Sequence, residues 1–105
     1  MEPSEVSQIV TEEIAGNWSV SNAHGVDLKR CLVVPTLRDY ADPIVEGSSL
    51  TLWLVLEEVP EDQSGYKIVF DAATRQFGLA TSDAEKDRDL FLGFYGTFLE
   101  TLESM

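Results

Sequence analysis

His24, Asp27 and Cys31 are the residues whose types and spacing come nearest to a nucleophilic site in this 105-residue chain. In such a site the imidazole would take the thiol proton while the carboxylate orients the ring. The surroundings argue for something plainer. His24 falls in Asn22-Ala-His-Gly25, which reads as a turn, whereas Cys31 begins the apolar run Cys31-Leu-Val-Val34 and reads as a buried thiol acting as a small hydrophobe. No serine stands in a Gly-x-Ser-x-Gly elbow, and the chain has a single histidine, so a hydrolytic triad is not indicated. Gly47, Gly65 and Gly78 stand apart from one another, which leaves no glycine-rich phosphate loop. One cysteine can form neither an internal disulfide nor a cysteine-based zinc site. The expectation is a non-enzymatic chain with no cofactor and no dedicated metal site.

Carboxylates are the more informative chemistry. Between Arg38 and Lys67 stand Asp39, Asp42, Glu46, Glu57, Glu58, Glu61 and Asp62, with no lysine or arginine among them. Residues 1 to 28 are likewise free of both. An Asp-x-Asp-x-Asp-Gly calcium loop is absent, and Asp39, Asp42 and Glu46 make only a looser acidic stretch. The sharper reading is a docking surface, in which these carboxylates steer a basic protein and an aromatic such as Tyr40, Trp53 or Tyr66 anchors it. The candidate surface is Asp39, Tyr40, Asp42, Glu46, Trp53, Glu57, Glu58, Glu61 and Asp62, expected to converge at one end of a sheet.

Net charge supports that reading. Seven basic residues against nineteen acidic ones give -12 and an isoelectric point near 4.2, which repels nucleic acid phosphates and anionic membranes and favours basic partners. The first residues, Met1-Glu-Pro-Ser-Glu5, include no basic region and no apolar run of signal-peptide length, so a cytoplasmic chain is expected. Ten aromatic residues within a 44% hydrophobic composition can fill one modest core, which predicts a single domain over residues 1–105.

The elements that must position these residues are organised around Leu50-Thr-Leu-Trp-Leu-Val-Leu-Glu-Glu-Val59. Leu50, Leu52, Leu54 and Leu56 repeat with period two, the pattern of a strand with one buried face. Before it, Ser4 or Pro3 opens a helix whose face carries Val6, Ile9, Val10 and Ile14, with Gly16 as its stop. Leu28 to Leu37 reads as an edge strand, or as a strand ending in a bulge at Pro35, followed by a long loop from Arg38 to Ser48. After the leucine strand, Tyr66–Asp71 and Gln76–Ala80 read as two more strands. Gly78 there marks either a close approach or a bulge.

Thr81 or Ser82, with Asp83 and Glu85 behind it, reads as the start of a C-terminal helix whose apolar half would carry Leu90, Phe91, Phe94, Tyr95, Phe98, Leu99 and Leu102. Gly93 and Gly96 weaken that helix and ask for a reason. The expected fold is α+β: an antiparallel meander of three or four strands in the order α-β-β-β-β-α, with both helices on the leucine face. Trp53 and Val55 would then lie on an uncovered face beside Lys67 and Val69, a patch favouring a monomer or a weak homodimer.

In size and charge the chain resembles bacterial immunity proteins and antitoxins that occlude basic nuclease toxins, a likeness that assigns no residue. The functional expectation is a small acidic protein-binding module of that inhibitor-like kind. The alternative is a small-molecule-binding or catalytic domain with a pocket between sheet and helices, near Trp18, His24 or Tyr95.

Overall fold

A computed structural model describes residues 1–83 and 88–105. Five strands, β1 (Leu32–Ala41), β2 (Ser49–Val59), β3 (Ser64–Asp71), β4 (Gln76–Asp83) and β5 (Arg88–Gly96), follow one another as an antiparallel meander. One parallel pairing, Ala41 with Leu90, closes the meander into a barrel. Helix α1 (Pro3–Ile14) precedes the sheet, a single turn α2 (Leu28–Cys31) leads into β1, and α3 (Phe98–Glu103) follows β5. The α+β class with a helix at each end agrees with the sequence pattern. The strand count does not, because the sheet has five strands rather than three or four.

The fifth strand replaces most of the expected C-terminal helix. Thr81 and Ser82 continue β4 instead of capping a helix, and Glu85 lies outside the described residues. Leu90 to Tyr95 then run as β5, whose register against β4 slips at two places. Gly96 ends the strand at φ 101°, in the left-handed region that glycine enters without a Cβ penalty. Thr97 caps α3 by accepting the Glu100 N–H at 3.2 Å, and its hydroxyl donates to Glu100 Oε1 at 2.9 Å. Gly78 has its reason in the same region. A Cβ there would lie 2.5 Å from the Gly93 carbonyl oxygen and 2.9 Å from the Phe91 ring, so what approaches the sheet closely is its own last strand.

Closing the sheet gives β2 two covered faces. Leu52 and Leu54 point into the barrel with Tyr40, Val69, Ala80 and Phe91. Trp53 and Val55 point outward, yet they join the helix-side core with Val6, Val10, Val26, Phe98 and Leu102, and both are buried. The expected wet patch of Trp53, Val55, Lys67 and Val69 is therefore not a surface at all: none of the four is more than 7% exposed. The helices cover the tryptophan face of β2, and the leucine face lines the barrel. A register shift between Leu54 and Leu56 ends the simple alternation, so Leu56 joins Val55 on the helix side. Glu57 and its cross-strand partner Lys67 thereby turn inward.

Helix α1 begins where the sequence places it, with the Glu5 side chain accepting the Glu2 N–H at 3.1 Å. Val6, Val10 and Ile14 face the core, and a left-handed Ala15 ends the helix just before Gly16. The irregularity expected near Pro35 is present, since β1 changes register between Leu32 and Thr36, but the strand neither ends there nor forms an edge, and Leu28–Cys31 is helical rather than extended. Beyond it the strand continues through Arg38–Ala41, which shortens the long loop to residues 42–48.

Candidate functional site

Antiparallel strands alternate direction, so successive connections leave opposite ends of the sheet. Loop 42–48 sits at the start of β2 and turn 60–63 at its far end, eleven residues away. The acidic segment does not converge. It is split into two groups, each bound up in different work.

At the far end, Glu58 accepts the Tyr66 N–H at 3.1 Å and pairs with His24 Nδ1 at 2.8 Å. The Tyr66 amide, with a smaller contribution from His24, holds the Glu58 carboxyl below the ordinary carboxylate range. Glu61 accepts from Arg30 Nε and Nη2 at 3.1 and 2.6 Å, while Asp62 stays exposed. The basic residues missing from the segment are thus supplied from the turn before α2 and from α2 itself.

This arrangement also dismantles the imagined nucleophilic site. His24 turns to Glu58, and Asp27 caps α2 by accepting the Lys29 N–H at 3.1 Å. Cys31 is buried and donates to the Glu58 backbone carbonyl at 3.6 Å, and burial pushes its thiol pKa up. A thiol held protonated is a poor nucleophile.

Three members of the predicted surface are interior. Trp53 is 7% exposed, Glu57 4% and Tyr40 not at all. Tyr40 lies inside the barrel, where burial, reinforced by the Asp89 and Glu57 carboxylates, raises its hydroxyl pKa above the ordinary value. Neither its hydroxyl nor Glu57 Oε2 has a hydrogen-bond partner among the described residues. These residues build the fold and cannot meet a partner.

At the near end the acidic residues frame a surface that the acidic pattern does not announce. Asp42 Oδ1 accepts the N–H groups of Ile44 at 2.8 Å and Val45 at 3.2 Å, and Asp42 N–H donates to the Ser48 carbonyl at 3.0 Å. The loop is pinned by its own aspartate. It holds Ile44 89% and Val45 55% exposed, beside exposed Glu46. Asp39, on β1, accepts the Thr51 hydroxyl at 2.6 Å.

Because Ala41 and Leu90 pair in parallel, the chain beyond each runs the same way, and loop 42–48 emerges at the same barrel end as the C-terminal half of β5. That half exposes Leu92, Phe94 and Tyr95, the last at 42%. Phe94 rests on Phe91 with ring centroids 4.8 Å apart. Together Ile44, Val45, Leu92, Phe94 and Tyr95 are most of the large apolar side chains left in water; Val34 and Leu37 on β1 are the others within a strand. Two consecutive β-branched residues in a proline-containing loop, Pro43-Ile-Val45, were the signal in the sequence.

A cleft of about 410 Å³ opens at this same end. Its floor is Ile9 from α1 with Phe70 and Phe77 from the sheet; Glu12 and Glu13 of α1 and Glu100 of α3 line its helical walls, and Arg75 and Gln76 lie on the β3–β4 turn. Glu13 Oε1 accepts the Phe98 N–H at 3.0 Å, tying α1 to α3. A second hollow of about 190 Å³ lies along Trp18 to Asp27, nearer the expected pocket but smaller. Among the described residues no group of three or more His, Cys, Asp or Glu is placed to hold a metal ion, and no helix is long and apolar enough to cross a membrane.

The fold and site define an acidic α+β barrel with exposed apolar side chains gathered toward one end. Compared with protein-family models, curated proteins and solved structures, the chain matches none.

Proposed function

We propose that this chain is a non-enzymatic protein-binding module that docks a basic partner through the near end of its barrel. The observation that carries the reading is the ordered exposure of Ile44, Val45, Leu92, Phe94 and Tyr95 at one end, flanked by Asp39, Asp42 and Glu46. Aromatic and aliphatic anchors inside a charged rim are the usual anatomy of a recognition surface. With a net charge of -12, encounter favours a partner of opposite sign. This assigns the anchoring role to Tyr95 and Phe94 in place of Trp53 and Tyr40.

The test is capture from the native host at low and moderate salt, with the wild-type chain beside Ile44→Ser and Tyr95→Ser. The expected result is a basic protein whose recovery falls as salt rises and falls again with either substitution. Recovery of no basic protein at either ionic strength, or recovery indifferent to both substitutions, sinks the proposal. The 410 Å³ cleft favours a second reading, a small-molecule-binding domain. A metabolite bound there at a hundred times its Kd would stabilise the fold by about 2.7 kcal/mol, visible as a thermal shift.

A further inference from the structure

The barrel closes through very little. Ala41 with Leu90 is the one residue pair that joins β1 to β5 among the described residues, whereas β3 and β4 stay paired from Tyr66–Thr81 to Asp71–Gln76. No ion pair crosses between β1 and β5 among the described residues, and no backbone hydrogen bond outside the ladder does. Sheets are stabilised pair by pair along a ladder, so the β1–β5 seam is the weakest line in this one.

What the seam covers is unfavourable to cover. Tyr40 and Phe91, each next to the closing pair on its own strand, both point into the barrel. The Tyr40 hydroxyl is buried and has no hydrogen-bond partner among the described residues, a state that a hydroxyl reaches only at a loss of free energy. Parting the two strands gives that hydroxyl water. The seam also divides the exposed apolar side chains, since Ile44 and Val45 follow β1 while Leu92, Phe94 and Tyr95 lie along β5. Any opening moves one group away from the other.

We infer that the barrel has a gate between β1 and β5, which opens while β2, β3 and β4 stay paired and so parts the two halves of the docking patch. The consequence for docking rests on the reading of the chain as a module for a basic partner, whereas the opening itself does not. Amide hydrogen exchange of the full chain, labelled with ¹⁵N, reads it directly. The Asp42 N–H donates to the Ser48 carbonyl on the β2 side, so alternation turns the Ala41 N–H toward β5, and the parallel pairing turns the Phe91 N–H toward Ala41. These two amides should exchange at least about tenfold faster than those of Ile68, Val69 and Phe70, and at a rate that low urea does not change, the mark of an opening smaller than global unfolding.

Two variants tie that exchange to the seam. Tyr40→Phe removes the partnerless hydroxyl and should slow exchange at Ala41 and Phe91 about fivefold or more. Ala41→Cys with Leu90→Cys, oxidised, should bring both amides to the rate of Ile68–Phe70, and reduction should restore the faster exchange. Wild-type rates at Ala41 and Phe91 equal to those of β3, or Tyr40→Phe slowing β3 while leaving the seam unchanged, would overturn the gate. If a basic partner is captured while the seam exchanges no faster than β3, the inference falls and the docking function stands. If the seam opens as described and no basic partner is recovered, the gate holds and the docking function falls.

Discussion

Lys67 Nζ lies 3.6 Å from Glu57 Oε2 inside the barrel, with both side chains almost completely out of water. The ammonium also donates to the Gln63 carbonyl and to Ser82 Oγ, each at 3.0 Å, so one buried cation ties the β2–β3 turn to β4. The pair exists because the β2 register shift turns Glu57 inward opposite Lys67. Removing one member leaves the other as an uncompensated buried charge. Lys67→Met should therefore cost about 3–5 kcal/mol, whereas Lys67→Met with Glu57→Leu should recover most of that loss. Urea denaturation of the single and double variants decides it; a double variant as unstable as the sum of the singles contradicts the pairing.

The two faces of β2 make the second expectation. Leu54 inside the barrel and Trp53 under the helices are both buried, so Leu54→Ala should cost roughly 2–5 kcal/mol and Trp53→Ala roughly 3–5. Thr51 is exposed, and Thr51→Ala should cost under about 1 kcal/mol. A Trp53→Ala variant as stable as wild type would mean that α1 does not cover that face.

These same residues show what the sequence could convey. Period two made β2 and its inward leucines legible, and the spacing of Val6, Val10 and Ile14 made α1 legible. Neither pattern says which face of the strand a helix will take, and Trp53 went to the helices. Residues 90 to 95 are apolar on both alternations, so periodicity alone cannot separate strand from helix there. The decisive signals were local: Gly93 and Gly96, poor in a helix interior, and Thr97-Phe-Leu-Glu100, a capping box that starts a helix only after them. The acidic residues were legible as a group along the chain. Their separation in space follows from meander topology, which reverses direction at every turn.

Gly78 should be nearly irreplaceable. The Cβ of Gly78→Ala would press on the Gly93 carbonyl, backbone that cannot swing aside as a side chain can. Such overpacking costs typically about 1–3 kcal/mol, and here it acts on the pairing that carries β5. Amide hydrogen exchange in Gly78→Ala should show lost protection along β4 and β5 with β2 and β3 less affected. Uniform loss across all strands would assign the defect to global instability instead.

Acid sensitivity should trace partly to Glu58. Its folded pKa is depressed by the Tyr66 amide and by His24, so its contribution is fully present above the unfolded carboxylate pKa and is lost as pH falls through the lower folded value. Wild type should lose stability across that acidic interval, and Glu58→Gln should show a shallower slope there while being less stable at pH 7. Parallel pH profiles for the two proteins would show that Glu58 does not titrate differently on folding.

Self-association should be governed by two opposed terms at the exposed apolar end of the barrel. The exposed side chains of Leu92, Phe94 and Tyr95 favour contact between copies, while a net charge of -12 on each copy opposes it. At about 0.15 M salt the screening length is about 8 Å, short enough to remove distant repulsion but not that between carboxylates meeting at an interface. A monomer at low salt that associates weakly as salt rises is the expected balance, the reverse of the trend for a basic partner. Because Trp53 is covered, the contact should run through β5: Phe94→Ser should abolish the high-salt association without a comparable loss of stability. Sedimentation at low and high salt reads both trends, and a dimer that tightens as salt is removed would show that complementary charge, and not the β5 surface, holds the copies together.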